Sequence, residues 1–151
     1  TILESVTDRS IAFPDVWGLG VAYRSPNGSL TVGLEWDRVK YSIIGETLDS
    51  PLVDTSLATI DDANELHFGV EYVFLEISPL IAIRGGIWHD PDHRFRYLGD
   101  DPFSQAIYQQ GEDILHVTMG IGIAFSAFQI DVGADLSQTS DVYAFSAIYS
   151  F

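Results

Sequence analysis

The sequence predicts an all-β chain: an antiparallel transmembrane β-barrel segment of about seven strands, with no convincing helix. Three observations carry this. Apolar and aromatic residues recur at every second position over long stretches, as in "ELHFGVEYVF" and "ILHVTMGIGIAF". The alternate positions carry glycine, small residues and charge. Short and long connections alternate along the chain. The stretches run to roughly 10–13 residues, which suits a tilted membrane crossing of ~9–11 residues better than the ~5–6 of an average soluble strand.

The first strand is "DVWGLGVAYR", residues 15–24, with Trp17, Leu19, Val21 and Tyr23 on one face. "SPNGS" follows, and Asn-Gly between alternating runs is a strong hairpin signal. "LTVGLEWDRVKYS" sets Leu30, Val32, Leu34 and Trp36 against Thr31, Gly33, Glu35 and Asp37. A long acidic loop spans residues 43–64. In "ELHFGVEYVF", Leu66, Phe68, Val70, Tyr72 and Phe74 alternate with His67, Gly69, Glu71 and Val73. After a short turn, "PLIAIRGGIW" puts Ile81, Ile83 and Ile87 opposite Ala82, Arg84, Gly86 and Trp88. A second long loop covers residues 89–112. "ILHVTMGIGIAF" presents Leu115, Val117, Met119, Ile121, Ile123 and Phe125, backed by His116, Thr118, Gly120 and Gly122. A tight turn near Ser126 and Ala127 leads to "FQIDVGADL", where Phe128, Ile130 and Val132 oppose Gln129, Asp131 and Asp135. The last strand, "DVYAFSAIYSF", carries Tyr143, Phe145, Tyr149 and Phe151 on one face.

Composition narrows the function. The 151 residues carry a net charge of −15, with 7 Lys+Arg against 22 Asp+Glu. Phosphate contacts need a cationic surface, so nucleic acid is not an expected partner. No apolar run reaches the ~18 residues of a transmembrane helix. There is no cysteine. The acidic residues gather in the connections "GETLDSPLVDTSLATIDDANE", "HDPDH", "LGDDPF" and "QQGED", where solvated loops are the expectation.

Two environments fit an unbroken apolar row opposite Glu35, Asp37, Glu71, Arg84, Asp131 and Asp135. In a soluble sandwich the charged row faces water and the apolar row is core. In a membrane barrel the charged row lines a wet lumen and the apolar row meets lipid. The alternation of short and long connections favours the barrel, in the bacterial outer membrane. The short turns are then periplasmic and Phe151 reaches the periplasmic rim. Tyr149 and Phe151 would form an assembly signal read by the barrel-assembly machinery, and would sit in the aromatic girdle beside outer-membrane lipid and lipopolysaccharide.

Single-chain bacterial barrels have an even number of strands. Either "TILESVTDRSIAF" supplies an eighth, or the chain is part of a larger barrel. "FPDVWGLGVAYRSPNGSLTVGLEWDRVKYS" resembles a stretch of the FadL-type long-chain fatty acid transporters through Pro14, Asp15, Gly20, Tyr23, Tyr41 and Ser42. "IAIRGGIWHDPDHRF" is similar to that family's Arg-x-Gly strand and proline-containing loop through Arg84, Gly86, Asp90 and Pro91. The resemblance implies the C-terminal half of a 14-stranded barrel, with the N-terminal hatch and earlier strands absent from residues 1–151. It also implies passive uptake of long-chain fatty acids or other hydrophobic compounds, without enzyme activity or cofactor. The alternatives are a small eight-stranded barrel with a structural or adhesive role, and a soluble β-sandwich binding module.

Candidate ligand-binding residues are those expected to face the lumen: Arg84, Glu71, His67 and His116. A guanidinium grips a carboxylate bidentately, so Arg84 could hold a fatty acid head group. The favoured alternative is a lumen salt bridge to Glu71, Glu35 or Asp131. His67 and His116 could tune charge near neutral pH or act as hydrogen-bonded lumen residues. "HDPDH" offers His89, Asp90, Asp92 and His93, but Pro91 makes it a turn and the spacing is not that of a helical zinc motif, so no metal is expected there. No Gly-x-Ser-x-Gly context surrounds Ser42, Ser126 or Ser146, and no catalytic residue is assigned.

Overall fold

A computed structural model describes residues 12–46 and 55–150. In chain order its elements are β1 (Val16–Arg24), β2 (Leu30–Val39), the helix α1 (Ser42–Glu46), a 3-10 turn (Thr55–Leu57), β3 (Ala58–Thr59), β4 (Ala63–Phe74), β5 (Leu80–Asp90), β6 (Arg96–Tyr97), the helix α2 (Pro102–Ile107), β7 (Ile114–Ala124), β8 (Phe128–Leu136) and β9 (Asp141–Tyr149). The chain divides into two compact units. Of the described residues, one comprises 18–37, 64–91 and 113–150, and the other 12–17, 38–46, 55–63 and 92–112.

Most of the seven long strands lies in the first unit. They form one antiparallel sheet in the order β1-β2-β4-β5-β7-β8-β9, so each strand pairs with its predecessor among the long strands. The sheet is open, with β1 and β9 as its edges. The period-two runs place these strands because β-branched and aromatic side chains fit a pleated surface. The first hairpin turns at Ser25–Ser29. Gly28 takes a left-handed φ of 75° there, a conformation that costs a residue without a Cβ nothing. Asn27 Oδ1 braces the turn, accepting from the Ser25 hydroxyl at 2.7 Å and the Ser29 hydroxyl at 2.9 Å.

The order of burial is the reverse of a soluble sheet. Along β4, Leu66, Phe68, Val70, Tyr72 and Phe74 are exposed, while Glu65, His67, Gly69, Glu71 and Val73 between them are less so. On β7, Val117, Met119 and Ile121 are 41–52% exposed, whereas His116 is 9% exposed. A half-covered soluble sheet places its apolar row inside. Here no layer covers that row among the described residues. The edge strands β1 and β9 are exposed along their whole length.

The second unit corrects two expectations. The long connections are not featureless solvated loops, and helix is present. β3, from the first connection, pairs with β6, from the second, through Ala58–Tyr97 and Thr59–Arg96. Arg96 binds Asp61 at 2.6 Å and Arg38 binds Asp62 at 3.1 Å. Val39, Ile60 and Ala63 are buried, and Gly45 lies close to Ile60 and Phe95. Helix α2 starts from the cap Asp101, whose carboxylate accepts from the Ser104 amide at 2.9 Å and the Ser104 hydroxyl at 2.6 Å. Those bonds, the hydroxyl's first, hold the Asp101 carboxyl below the usual carboxylate range. Asp62 is likewise lowered, by the Ser42 hydroxyl, the Ser42 amide and Arg38. The signal for α2 was in the sequence: Asp-Pro-x-Ser places a cap and a proline at the first helical position.

Candidate functional site

The polar face of the sheet forms an open trough of about 800 Å³. Its floor is built by alternation. Thr31, His67, Glu71, Arg84, Trp88, Thr118, Asp131, Asp135 and Ser146 project from successive strands, with Gly33, Gly69, Gly86, Gly120 and Gly133 between them.

Arg84 anchors one half of the trough. It sits directly opposite Glu71 on β4 and donates to Glu71 Oε2 through Nε at 2.6 Å. On its other side it spans β7 and donates through Nη1 to Asp131 Oδ1 on β8, also at 2.6 Å. Of the three carboxylates the sequence offered, Arg84 takes Glu71 and Asp131. Gln129 Nε2 donates to the second oxygen of Asp131 at 2.7 Å.

The crossing over β7 depends on Gly122, which pairs with Asp131 in register. A Cβ there would lie 2.5 Å from Asp131 Oδ1 and 3.2 Å from Arg84 Nη1. A Gly122→Val variant is therefore expected to push Asp131 off Arg84 and lower stability by about 1–3 kcal/mol, the worth of a charge-assisted hydrogen bond. Denaturant unfolding measures this, and an unchanged midpoint would show that the bridge carries no stability.

The other half is aromatic. Trp88 lies between two imidazoles, stacked on His116 at 3.9 Å and on His67 at 5.3 Å between ring centroids. Asp135 joins the stack from β8, accepting from Trp88 Nε1 at 3.1 Å and from His116 Nδ1 at 2.8 Å. The register explains the meeting: Trp88 pairs with His67 on β4 and with His116 on β7. Beyond His67 stand Asp37 and Glu65. Their carboxylate oxygens lie 3.7 Å and 3.5 Å from His67 Nε2.

The structure thus puts Arg84 and Glu71 in one cluster and His67 and His116 in another, on the same face. Sequence reasoning missed the Trp88–Asp135 contact and the grouping of Asp37 and Glu65 with His67. Glu65 and His67 share a face two residues apart, which was legible. The arrival of Asp37 depends on the side-by-side placement of β2 and β4, which was not. The residues of "HDPDH" go to different partners. His89 contacts Asp113 at 3.3 Å, His93 stacks on Tyr41, and Asp92 accepts from the Gly111 amide at 2.8 Å. Tyr149 is 68% exposed on the edge strand β9, and Phe151 lies outside the described residues.

Comparison with protein-family models, with curated proteins and with solved structures finds no match to this chain.

Proposed function

We propose that this chain is part of the wall of a bacterial outer-membrane β-barrel, and that the barrel takes up hydrophobic compounds passively, in the manner of the FadL-type transporters it resembles. The observation that carries the reading is the inverted burial of the sheet: apolar side chains bare on one face, ionic and hydrogen-bonded side chains gathered on the other. Exposed apolar area on this scale marks an interaction surface, and a lipid bilayer is the surround that makes it favourable. Strands of 9–12 residues match the thickness to be crossed. An open, all-antiparallel sheet of seven strands needs further strands to satisfy its edges in lipid, which agrees with membership of a larger barrel.

The charge of the trough bears on the ligand. Among the described residues that line the trough, Glu71, Asp131 and Asp135 stand against the guanidinium of Arg84, which is already held by two carboxylates. An incoming fatty acid anion would meet repulsion and a committed arginine. Uncharged hydrophobic compounds fit this surface better than long-chain fatty acids.

The test is uptake by source cells with and without the gene, using a radiolabelled aromatic hydrocarbon and radiolabelled oleate, alongside immunodetection of the protein in the outer-membrane fraction. Loss of hydrocarbon uptake on deletion, with the protein in that fraction, is the expected result. Loss of oleate uptake alone would restore the fatty acid reading. Unchanged uptake of both, with the protein still in the outer membrane, would leave a structural or adhesive barrel. Absence from the membrane fraction would overturn the whole reading in favour of a soluble binding module.

A further inference from the structure

We propose that Asp37, Glu65 and His67 bind a divalent transition-metal ion of the zinc type. The proposal does not depend on what the barrel transports. The three ligand atoms lie within 4.8 Å of one another. Two of the spacings run to the imidazole: His67 Nε2 is 3.5 Å from Glu65 Oε2 and 3.7 Å from Asp37 Oδ2. Tetrahedral zinc with bonds of ~2.1 Å holds its ligands about 3.4 Å apart. The two spacings to the imidazole therefore already match a zinc ion to within fractions of an ångström, and the two carboxylates lie within 4.8 Å of each other.

A separate observation concerns the nitrogen itself. His67 Nε2 is shut off from solvent and has no hydrogen-bond partner. Polar atoms hidden from water are almost always satisfied, and the exceptions call for a missing partner. Its two carboxylate neighbours make no hydrogen bond to it; the Asp37 and Glu65 side chains are 19% and 17% exposed, and the His67 side chain as a whole is 35% exposed. Glu65 Oε2 and Asp37 Oδ2 stand close to that nitrogen without hydrogen-bonding to it, and an ion held among the three would bond to all of them. The nearby guanidinium groups are committed elsewhere, Arg38 to Asp62 and Arg84 to Glu71 and Asp131.

The imidazole is also held for the task. Its ring lies nearly parallel to the Trp88 indole, at 8°, which fixes the direction of Nε2. Gly18 makes room for Asp37, because a Cβ there would collide with Asp37 Oδ1. The donor set selects the ion. Calcium and magnesium take oxygen ligands, whereas imidazole with carboxylates suits zinc and its first-row neighbours. Three protein ligands leave a fourth position for water. Because Asp37 comes from β2 and Glu65 and His67 from β4, the bound ion would also clamp those two strands together.

The test is equilibrium dialysis of the detergent-folded protein against zinc in the presence of excess calcium and magnesium. One saturable zinc site per chain is expected. His67→Ala should abolish it, and Glu65→Gln should weaken it by more than about a hundredfold, beyond the roughly 10–100-fold loss typical of outer-shell changes. Cobalt substitution supplies a second readout: the visible absorption of tetrahedral cobalt should appear in the parent protein and vanish in Glu65→Gln. A His89→Ala/His93→Ala variant should bind as the parent does. Zinc retained by His67→Ala, zinc lost in the His89→Ala/His93→Ala variant, or zinc displaced by calcium would each overturn the proposal. The last outcome would reduce the binding to a diffuse ion atmosphere on an acidic protein. Circular dichroism of each variant separates loss of ligand from loss of fold.

Discussion

A lysine at Ile121 or at Val132 is expected to stop the protein from assembling into a bilayer. The two residues face each other across β7 and β8 and are 46% and 48% exposed on the apolar side of the sheet. In lipid, an ammonium at mid-bilayer costs ~2–4 kcal/mol, a large fraction of the stability of a typical domain. Across the backbone, Gly120 and Gly133 face the trough, so the bulk of the new side chain cannot turn inward without crossing the strand. Assembly is read by the heat-modifiable shift in electrophoretic mobility of the folded protein in lipid vesicles. Normal folding of both variants would mean that this face does not meet lipid. Were the protein soluble, with this face covered by a partner, the same lysines would instead lower stability in aqueous buffer without any dependence on lipid.

Arg84→Met is expected to have the second largest effect, because it removes one cation from between two anions. Glu71 on β4 and Asp131 on β8 would be left on the same face, with β5 and β7 between them and no counter-charge. The three side chains are 20–39% exposed, so water screens part of the cost. A loss of about 1–3 kcal/mol follows from the charged hydrogen bonds broken. The control is the triple variant Arg84→Met/Glu71→Gln/Asp131→Asn, which removes the repulsion along with the attraction and should recover most of the loss. Failure of the triple variant to recover would show that Arg84 acts by packing its stem rather than by charge.

The seven long strands were legible in the sequence because alternation with period two is a local signal. The bounds of β4, β5, β7 and β8 differ from the sequence reading by no more than two residues at either end. The faces were legible as well: Arg84 and Glu71 were expected on one side, with Ile83 and Tyr72 on the other. What alternation does not reveal is register. The sandwich of Trp88 between His67 and His116 requires that residue 88 fall opposite both 67 and 116, and nothing in a single strand states this. The same holds for Asp37 beside His67. The connections were misread for a different reason. Their acidic residues suggested solvated loops, yet the Arg96–Asp61 pair and the short β3–β6 ladder fasten two connections that are distant in sequence, and Arg38–Asp62 ties the first of them to the end of β2. Short ladders of two residues leave no periodic trace. Helix α2 did leave a trace, in Asp101, Pro102 and Ser104, which was overlooked amid the surrounding charge.

The central claim is that the apolar face of this sheet meets lipid and the polar face lines a wet trough. The absence of cysteine makes a direct measurement practical. Single cysteines placed in turn at residues 66 to 74 along β4, each spin-labelled in the protein reconstituted into lipid vesicles, report collisions with oxygen, which concentrates in the bilayer, and with a water-soluble nickel chelate. The account predicts a strict alternation: high oxygen and low nickel accessibility at Leu66, Phe68, Val70, Tyr72 and Phe74, and the reverse or neither at His67, Gly69, Glu71 and Val73. Equal accessibility along the strand, or nickel collisions at the apolar positions, would contradict it and leave a sheet whose bare apolar row is covered by something other than a membrane.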